Sequence, residues 1–220
     1  MSFEAVFFDM DGTIVDTESS HGEAFRTALR PYGHRLTDRQ YQKYFTGKTD
    51  LAGLKGYLES VGGVAATDLE TMLAQKIAIY LRRLAAGKLV TYPGAIKLVE
   101  HLSSREPKVP LALVTGSLRG ETDMTLEALA LTDCFSAVVT IGDIEHPKPH
   151  PEGYLLAASM LGVDPANCVG IEDTPNGIRA VRAAGMRCLA VTSTHPASAL
   201  HEAGPSVIVD QLGPGSLDML

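Results

Sequence analysis

The sequence predicts a doubly wound parallel α/β sheet with a Rossmann-like core, interrupted soon after its first strand by an all-helical domain. Three observations lead there. Short apolar runs recur at residues 5–8, 111–114, 137–141, 168–171, 188–191 and 207–209, and their brevity suits buried strands. Helical patterns separate the later runs, and strands alternating with helices build a parallel sheet. The stretch from about residue 17 to 87 breaks this rhythm, because it carries helical patterns alone.

Each element has a local reason. The first run, Ala-Val-Phe-Phe, reads as a buried strand. The helical block follows with Phe25, Ala28, Leu29 and Tyr32 on one face, then Leu51, Leu54, Leu58 and Val61, then Leu69, Leu73, Ile77, Tyr80 and Leu84. Further on, Leu98, Val99 and Leu102 mark a helix before the run at 111–114, and Leu126 and Leu129 mark one before 137–141. Tyr154, Leu155, Ala158 and Leu161 precede 168–171, and Ile178, Val181 and Ala184 precede 188–191. Pro151 and Pro175 suit first helical positions, and Gly162 and Gly185 suit helix exits. The block is read as an insertion over 17–88, with hinges near 16–18 and 88–93, leaving 1–16 and 89–220 as the core domain. Ligands bind beyond the strand C-termini in such sheets, so an insertion there is expected to act as a lid.

Composition bounds the function. The 220 residues hold 26 acids against 19 Lys plus Arg, a net charge of −7, which argues against a binder of nucleic-acid backbones. Cys134, Cys168 and Cys188 are odd in number and set in apolar runs, as expected of buried thiols in a reducing compartment. No apolar run approaches the ~20 residues of a membrane span and no signal peptide is recognised, so a cytoplasmic location is expected.

The chemistry-bearing residues sit at the ends of the apolar runs. Asp9-Met10-Asp11-Gly12-Thr13 follows the first run, with two carboxylates at i and i+2; alone, it reads sooner as a solvated Asp-Gly turn. Glu172-Asp173 follows the run at 168–171, and Thr174-Pro175-Asn176-Gly177 then opens a helix; alone, this is an N-cap. If both strands are central, three or four carboxylates converge. Like charges ~4 Å apart repel by about 4 kcal/mol at an effective dielectric of about 20, which a hard divalent cation relieves. Oxygen donors without His or Cys select Mg²⁺ over zinc or copper. Thr115-Gly116-Ser117 offers a hydroxyl to a bound oxyanion, and Lys148 stands between stiff prolines in His146-Pro147-Lys148-Pro149-His150-Pro151. His146 and His150 are read as surface or capping residues rather than metal ligands. Gly47-Lys48-Thr49 is no P-loop, since Gln42 stands where its first Gly is required.

In this order, Asp-x-Asp-Gly-Thr, a strand-end Thr, a Lys-Pro loop and Glu-Asp, with an insertion after the first motif, resemble the haloacid dehalogenase-like hydrolase superfamily over essentially the whole chain. The segment from Gly170 to Ile178, Gly-Ile-Glu-Asp-Thr-Pro-Asn-Gly-Ile, is similar to the branch of β-phosphoglucomutase and sugar-phosphate phosphatases. The resemblance implies that Asp9 is a nucleophile, that Asp11 is general acid and then base, and that Thr115 and Lys148 bind the phosphoryl oxygens. It implies Mg²⁺ held by Asp9, the Asp11 backbone carbonyl and Asp173, with Glu172 acting directly or through water. The expected function is Mg²⁺-dependent hydrolysis of a small phosphorylated metabolite, foremost a sugar phosphate, through an aspartyl-phosphate. The expected protein is a monomer or weak homodimer with no nucleic-acid or membrane partner.

His21, Gly47 and Lys48 in the insertion, and Ser117 and Arg119 in the core, fall where that branch contacts substrate. The mutases carry Lys before the Gly and Arg three positions after it, where this chain has Thr46 and Asp50. An acid at 50 is expected to repel the second phosphate of a sugar bisphosphate. Phosphatase therefore leads, and a β-phosphoglucomutase-like mutase is the alternative. A phospho-accepting signalling receiver is the rival outside the enzymes, but such modules are shorter, lack a helical insertion and carry the acceptor Asp on a middle strand.

Overall fold

Six short strands pair in parallel throughout, in the order β3-β2-β1-β4-β5-β6. They are β1 (Val6–Phe8), β2 (Leu111–Val114), β3 (Ala137–Val139), β4 (Val169–Glu172), β5 (Arg187–Val191) and β6 (Val207–Val209). The structure, a computed structural model, describes residues 3–45, 48, 50–62 and 66–220, with the backbone alone at 66 and 67. Helices join the strands: α1 (Thr17–Leu29), α2 (Asp38–Tyr44), α3 (Asp50–Ser60) and α4 (Ala66–Ala85), then α5 (Pro93–Ser103), α6 (Arg119–Ala128), α7 (Glu152–Leu161), α8 (Pro175–Ala183) and α9 (Ala197–His201). The chain divides into two compact units, one of Met1–Asp16 with Thr91–Leu220 and one of Thr17–Val90.

In the first unit the sheet is buried on both faces. Phe7, Val114, Tyr154, Ile178, Val181 and Cys188 share one apolar cluster, where each fully buried large side chain contributes about 1.5–3 kcal/mol. Sequence order reverses at β1, which lies between β2 and β4. That reversal opens a crevice beyond the strand C-termini, the usual ligand position in such sheets. Strand boundaries differ from the sequence reading by a residue or two. β3 stops at Val139 because Asp143 folds back, its carboxylate accepting from the Thr140 amide at 2.7 Å and hydroxyl at 2.8 Å. Pro175 opens α8 behind the Thr174 cap, whereas Pro151 is the N-cap of α7 rather than its first residue. Gly162 ends α7 at φ +67°. Cys168 and Cys188 are buried and Cys134 half-buried, all as free thiols.

The second unit has its own core, with Phe25 and Leu29 of α1 against Tyr41, Leu54, Tyr57 and Met72. A capping box at Thr37 and Gln40 starts α2. In α4 the buried stripe is Met72, Lys76, Tyr80 and Leu84, an i, i+4 series. Ile77, expected inside, is 48% exposed. No helix among the described residues is long and apolar enough to cross a membrane.

Candidate active site

Three strand ends and one loop build a polar site in the first unit. The Asp9 amide donates to the Ile171 carbonyl at 3.0 Å and the Thr115 amide to the Val139 carbonyl at 2.9 Å, so both residues extend the sheet ladder. Glu172 is the last residue of β4. Rigid strands thus set three of the functional positions.

Beyond Asp9 the chain turns tightly, with the amides of Thr13, Ile14 and Val15 all donating to the Met10 carbonyl. Gly12 makes this possible. Its φ is +87°, and a Cβ there would overlap the Asp173 carboxylate, so any other residue is both strained and obstructed.

Lys148 is the centre of the hydrogen-bond network. Its Nζ donates to Asp9 Oδ1 at 2.6 Å, Glu172 Oε1 at 2.7 Å and the Val114 carbonyl at 2.9 Å. The Tyr154 hydroxyl also donates to Glu172 Oε1, at 2.7 Å. Glu172 Oε2 accepts from the Asp173 amide and the Thr174 hydroxyl, each at 3.3 Å. Glu172 is therefore surrounded by donors. Asp173 accepts from Thr194 through Oδ2 and weakly from Thr13 at 3.4 Å through Oδ1. The Asp11 carboxylate turns towards β2, where Oδ2 accepts from Ser117 at 2.6 Å and Thr115 at 3.1 Å. Its Oδ1 is buried without a partner among the described residues.

Carboxylate oxygens of Asp9, Glu172 and Asp173 lie within 4.8 Å of one another in buried surroundings. One lysine faces three acids. Burial pushes Asp9 well above the usual carboxylate range against the pull of Lys148, and Glu172, Asp173 and Asp11 add to the rise. Asp173 is pushed up to about 7, by burial first and Glu172 second. Burial pulls Lys148 down, but Asp9 and Glu172 outweigh it and hold the ammonium above its ordinary value. Such excess negative charge among oxygen donors fits a hard divalent cation.

Asp9, Asp11, Thr115, Ser117, Lys148, Glu172 and Asp173 thus gather at one sheet edge. Arg119 is engaged elsewhere, pairing with Asp143 at 2.8 Å and Asp123 at 3.8 Å and donating to the Val138 carbonyl at 2.9 Å. Gly47 lies outside the described residues. Lys48 is exposed, its Nζ 3.4 Å from the Lys43 carbonyl. His21 belongs to a cluster within the second unit, its Nδ1 2.6 Å from Lys76 Nζ and its ring stacked on Tyr80 at 4.2 Å.

Asp50 requires a correction. Lys76, 2% exposed, pairs with it at 2.6 Å, so its charge is matched and the expected repulsion of a second phosphate loses its basis. Sequence reasoning missed Lys76, although a lysine within an apolar i, i+4 stripe was the available signal. It also missed Tyr154, a polar-tipped aromatic on a buried helix face, and Thr194, which follows the end of β5.

The model of the haloacid dehalogenase-like hydrolase family matches residues 3–185. Over 201 residues the chain is 31% identical to validoxylamine A 7′-phosphate phosphatase of Streptomyces hygroscopicus subsp. limoneus, covering 91% of each. Over 185 residues it is 34% identical to fructose-1-phosphate phosphatase YqaB of Escherichia coli strain K12, covering 84% of this chain and 94% of that one. A crystal structure from Thermotoga maritima, provisionally assigned as a β-phosphoglucomutase, has a TM-score of 0.85 at 30% identity, covering 98% of this chain and 97% of that one. A match across residues 3–185, backed by near-full-length relatives named as phosphatases, makes this chain a member of the haloacid dehalogenase-like hydrolases.

Proposed function

We propose that this chain is a Mg²⁺-dependent phosphatase that hydrolyses a small phosphorylated metabolite, foremost a sugar phosphate, through an aspartyl-phosphate on Asp9. The observation that carries the reading is the Lys148 bridge from Asp9 to Glu172, with Asp173 in reach. It fixes a buried carboxylate at a strand end, as a nucleophile requires. The relative named as a fructose-1-phosphate phosphatase supports the substrate class.

Asp9, Asp173 and the backbone carbonyl of Asp11 would hold Mg²⁺. Glu172, already accepting four hydrogen bonds, would act on the ion through water and position Lys148. The bound cation supplies the positive charge that lets a carboxylate approach an anionic phosphate. An Asp9 oxygen attacks phosphorus as the bond from phosphorus to the sugar oxygen breaks. Asp11 gives its proton to that departing oxygen. With the sugar alcohol gone, Asp11 takes a proton from water, whose oxygen attacks phosphorus and frees phosphate, restoring Asp9. Thr115 and Lys148 meet the charge that develops on the phosphoryl oxygens. The residues at 17–88 select the sugar.

One observation favours a second reading. With Asp50 matched by Lys76, a bisphosphate-primed mutase is not opposed by charge. A screen of phosphorylated metabolites for Mg²⁺-dependent phosphate release, run beside an assay for sugar-phosphate isomers with added bisphosphate, tests both. Phosphate release is expected to dominate. Isomer formation outpacing it would make the mutase reading correct, and neither product would overturn both.

A further inference from the structure

The loop that carries Lys148 bears a second group of metal-ligating side chains, chemically unlike the carboxylate site. His146 and His150 flank Pro147-Lys148-Pro149, and the His150 amide donates to the Pro147 carbonyl at 3.0 Å, closing the turn. Glu152, the first residue of α7, reaches back over that turn. Its carboxylate accepts from the Glu145 amide at 2.8 Å and the His146 amide at 3.0 Å. Two backbone donors therefore orient it before any ion arrives, as outer-shell partners do for metal ligands.

Ligand atoms of all three residues lie within 4.8 Å of one another. His146 Nδ1 is 2.7 Å and His150 Nδ1 3.8 Å from Glu152 Oε2. These separations bracket the ~3.3 Å between neighbouring ligands of a tetrahedral ion bound at about 2.0–2.1 Å. The imidazole centroids are 4.7 Å apart. His146 and His150 are 61% and 52% exposed, so an ion reaches them directly from solvent. Two interactions oppose the ion: the hydrogen bond between His146 Nδ1 and Glu152 Oε2 at 2.7 Å, whose proton ligation displaces, and the longer one at 3.3 Å from the Glu152 amide to His150 Nδ1.

We propose that His146, His150 and Glu152 form a second metal site, for a borderline divalent transition cation of the Zn²⁺ type, with water completing its coordination. Two imidazoles and one carboxylate suit Zn²⁺, whereas Mg²⁺ takes oxygen donors. Bound there, the ion staples both flanks of Lys148 to the start of α7. The structure places both histidines at the surface and gives His150 a capping contact from the Glu152 amide, as the sequence reading has them, and metal ligation goes beyond that reading.

The test uses the full chain in saturating Mg²⁺, which holds the carboxylate site, with Zn²⁺ titrated by calorimetry and Co²⁺ followed by its visible absorption. One equivalent of Zn²⁺ is expected to bind, and Co²⁺ to give the absorption band of a low-coordinate site. His146→Ala with His150→Ala is expected to weaken Zn²⁺ by at least about tenfold and remove the band. Asp173→Asn is expected to leave both in place. His150→Gln, which alters one exposed ring, gives an independent variant with the same expected direction. Amide exchange over 145–152 is expected to slow with Zn²⁺. Zn²⁺ binding that survives loss of both histidines, or no binding by the unaltered protein, would overturn the site. Binding without slower exchange would overturn the staple.

Discussion

Replacing Lys148 by Met removes one positive charge from a site with three acids. At 2.6 and 2.7 Å from Asp9 and Glu172, each attraction is about 6 kcal/mol at an effective dielectric of about 20. Desolvation of the charges offsets most of that. Breaking a buried pair still costs about 3–5 kcal/mol, because the remaining charges stay buried without their partner. At about 2–4 °C per kcal/mol for a chain of this size, metal-free Lys148→Met should melt about 10 °C below the unaltered protein at pH 7.5. The deficit should shrink at pH 5.5, since Asp9, raised by burial and freed from the pull of Lys148, takes up a proton more readily in the folded state than in the unfolded one. Loss of one donor to the transferring phosphoryl group should lower kcat by about 10²–10³. Calorimetry in chelator at both pH values reads the stability, and steady-state kinetics with Mg²⁺ the rate. A variant that melts with the unaltered protein at pH 7.5, or whose deficit is as large at pH 5.5, would refute the reasoning.

Asp9→Asn keeps the size of the side chain and removes its charge, so it should abolish phosphate release while leaving metal-free Tm at or above that of the unaltered protein; near-normal turnover would exclude Asp9 as nucleophile. Asp173, pushed up to about 7 from 3.8, binds more protons folded than unfolded between those values. Metal-free stability should therefore fall by up to about 4 kcal/mol as pH rises from about 4 to about 7, and added Mg²⁺ should raise Tm more at pH 8 than at pH 5.5. A pH-independent Mg²⁺ effect would count against the cluster as the cation site. Lys76→Met should shift Tm by less than about 4 °C, because the carboxylate it leaves unpaired, Asp50, is 42% exposed and stays solvated. The same change should raise KM for sugar phosphates with kcat nearly kept, and an unchanged KM would separate this cluster from substrate selection.

The sheet and its acids were legible because both rest on local patterns. An apolar run of three to five residues ends in a polar strand terminus, and a parallel sheet turns all such termini to one edge. Asp9, Thr115 and Glu172 therefore could be placed together from sequence alone. Lys76 was not legible by that route, since periodicity ranks Ile77 above it as a core residue. Burial of Lys76 depends on Asp50, 26 positions away, and His21, 55 positions away, with the Phe25 and Tyr80 rings 5.0 and 5.4 Å from its ammonium. Arg119 has a partner that its sequence position did not reveal. Its position after β2 suggested substrate, but Asp143 folds back to end β3 and places a carboxylate against the guanidinium.

The central claim is that phosphate passes through Asp9. Asp11→Asn with an aryl phosphate tests it most directly, because that leaving group departs without a proton while the water step still lacks its base. Acid quench during turnover, followed by peptide mass analysis, should find one phosphoryl group on Asp9, and none in Asp9→Asn. Turnover with no phosphorylated peptide, or with the phosphoryl group on another residue, would contradict the account.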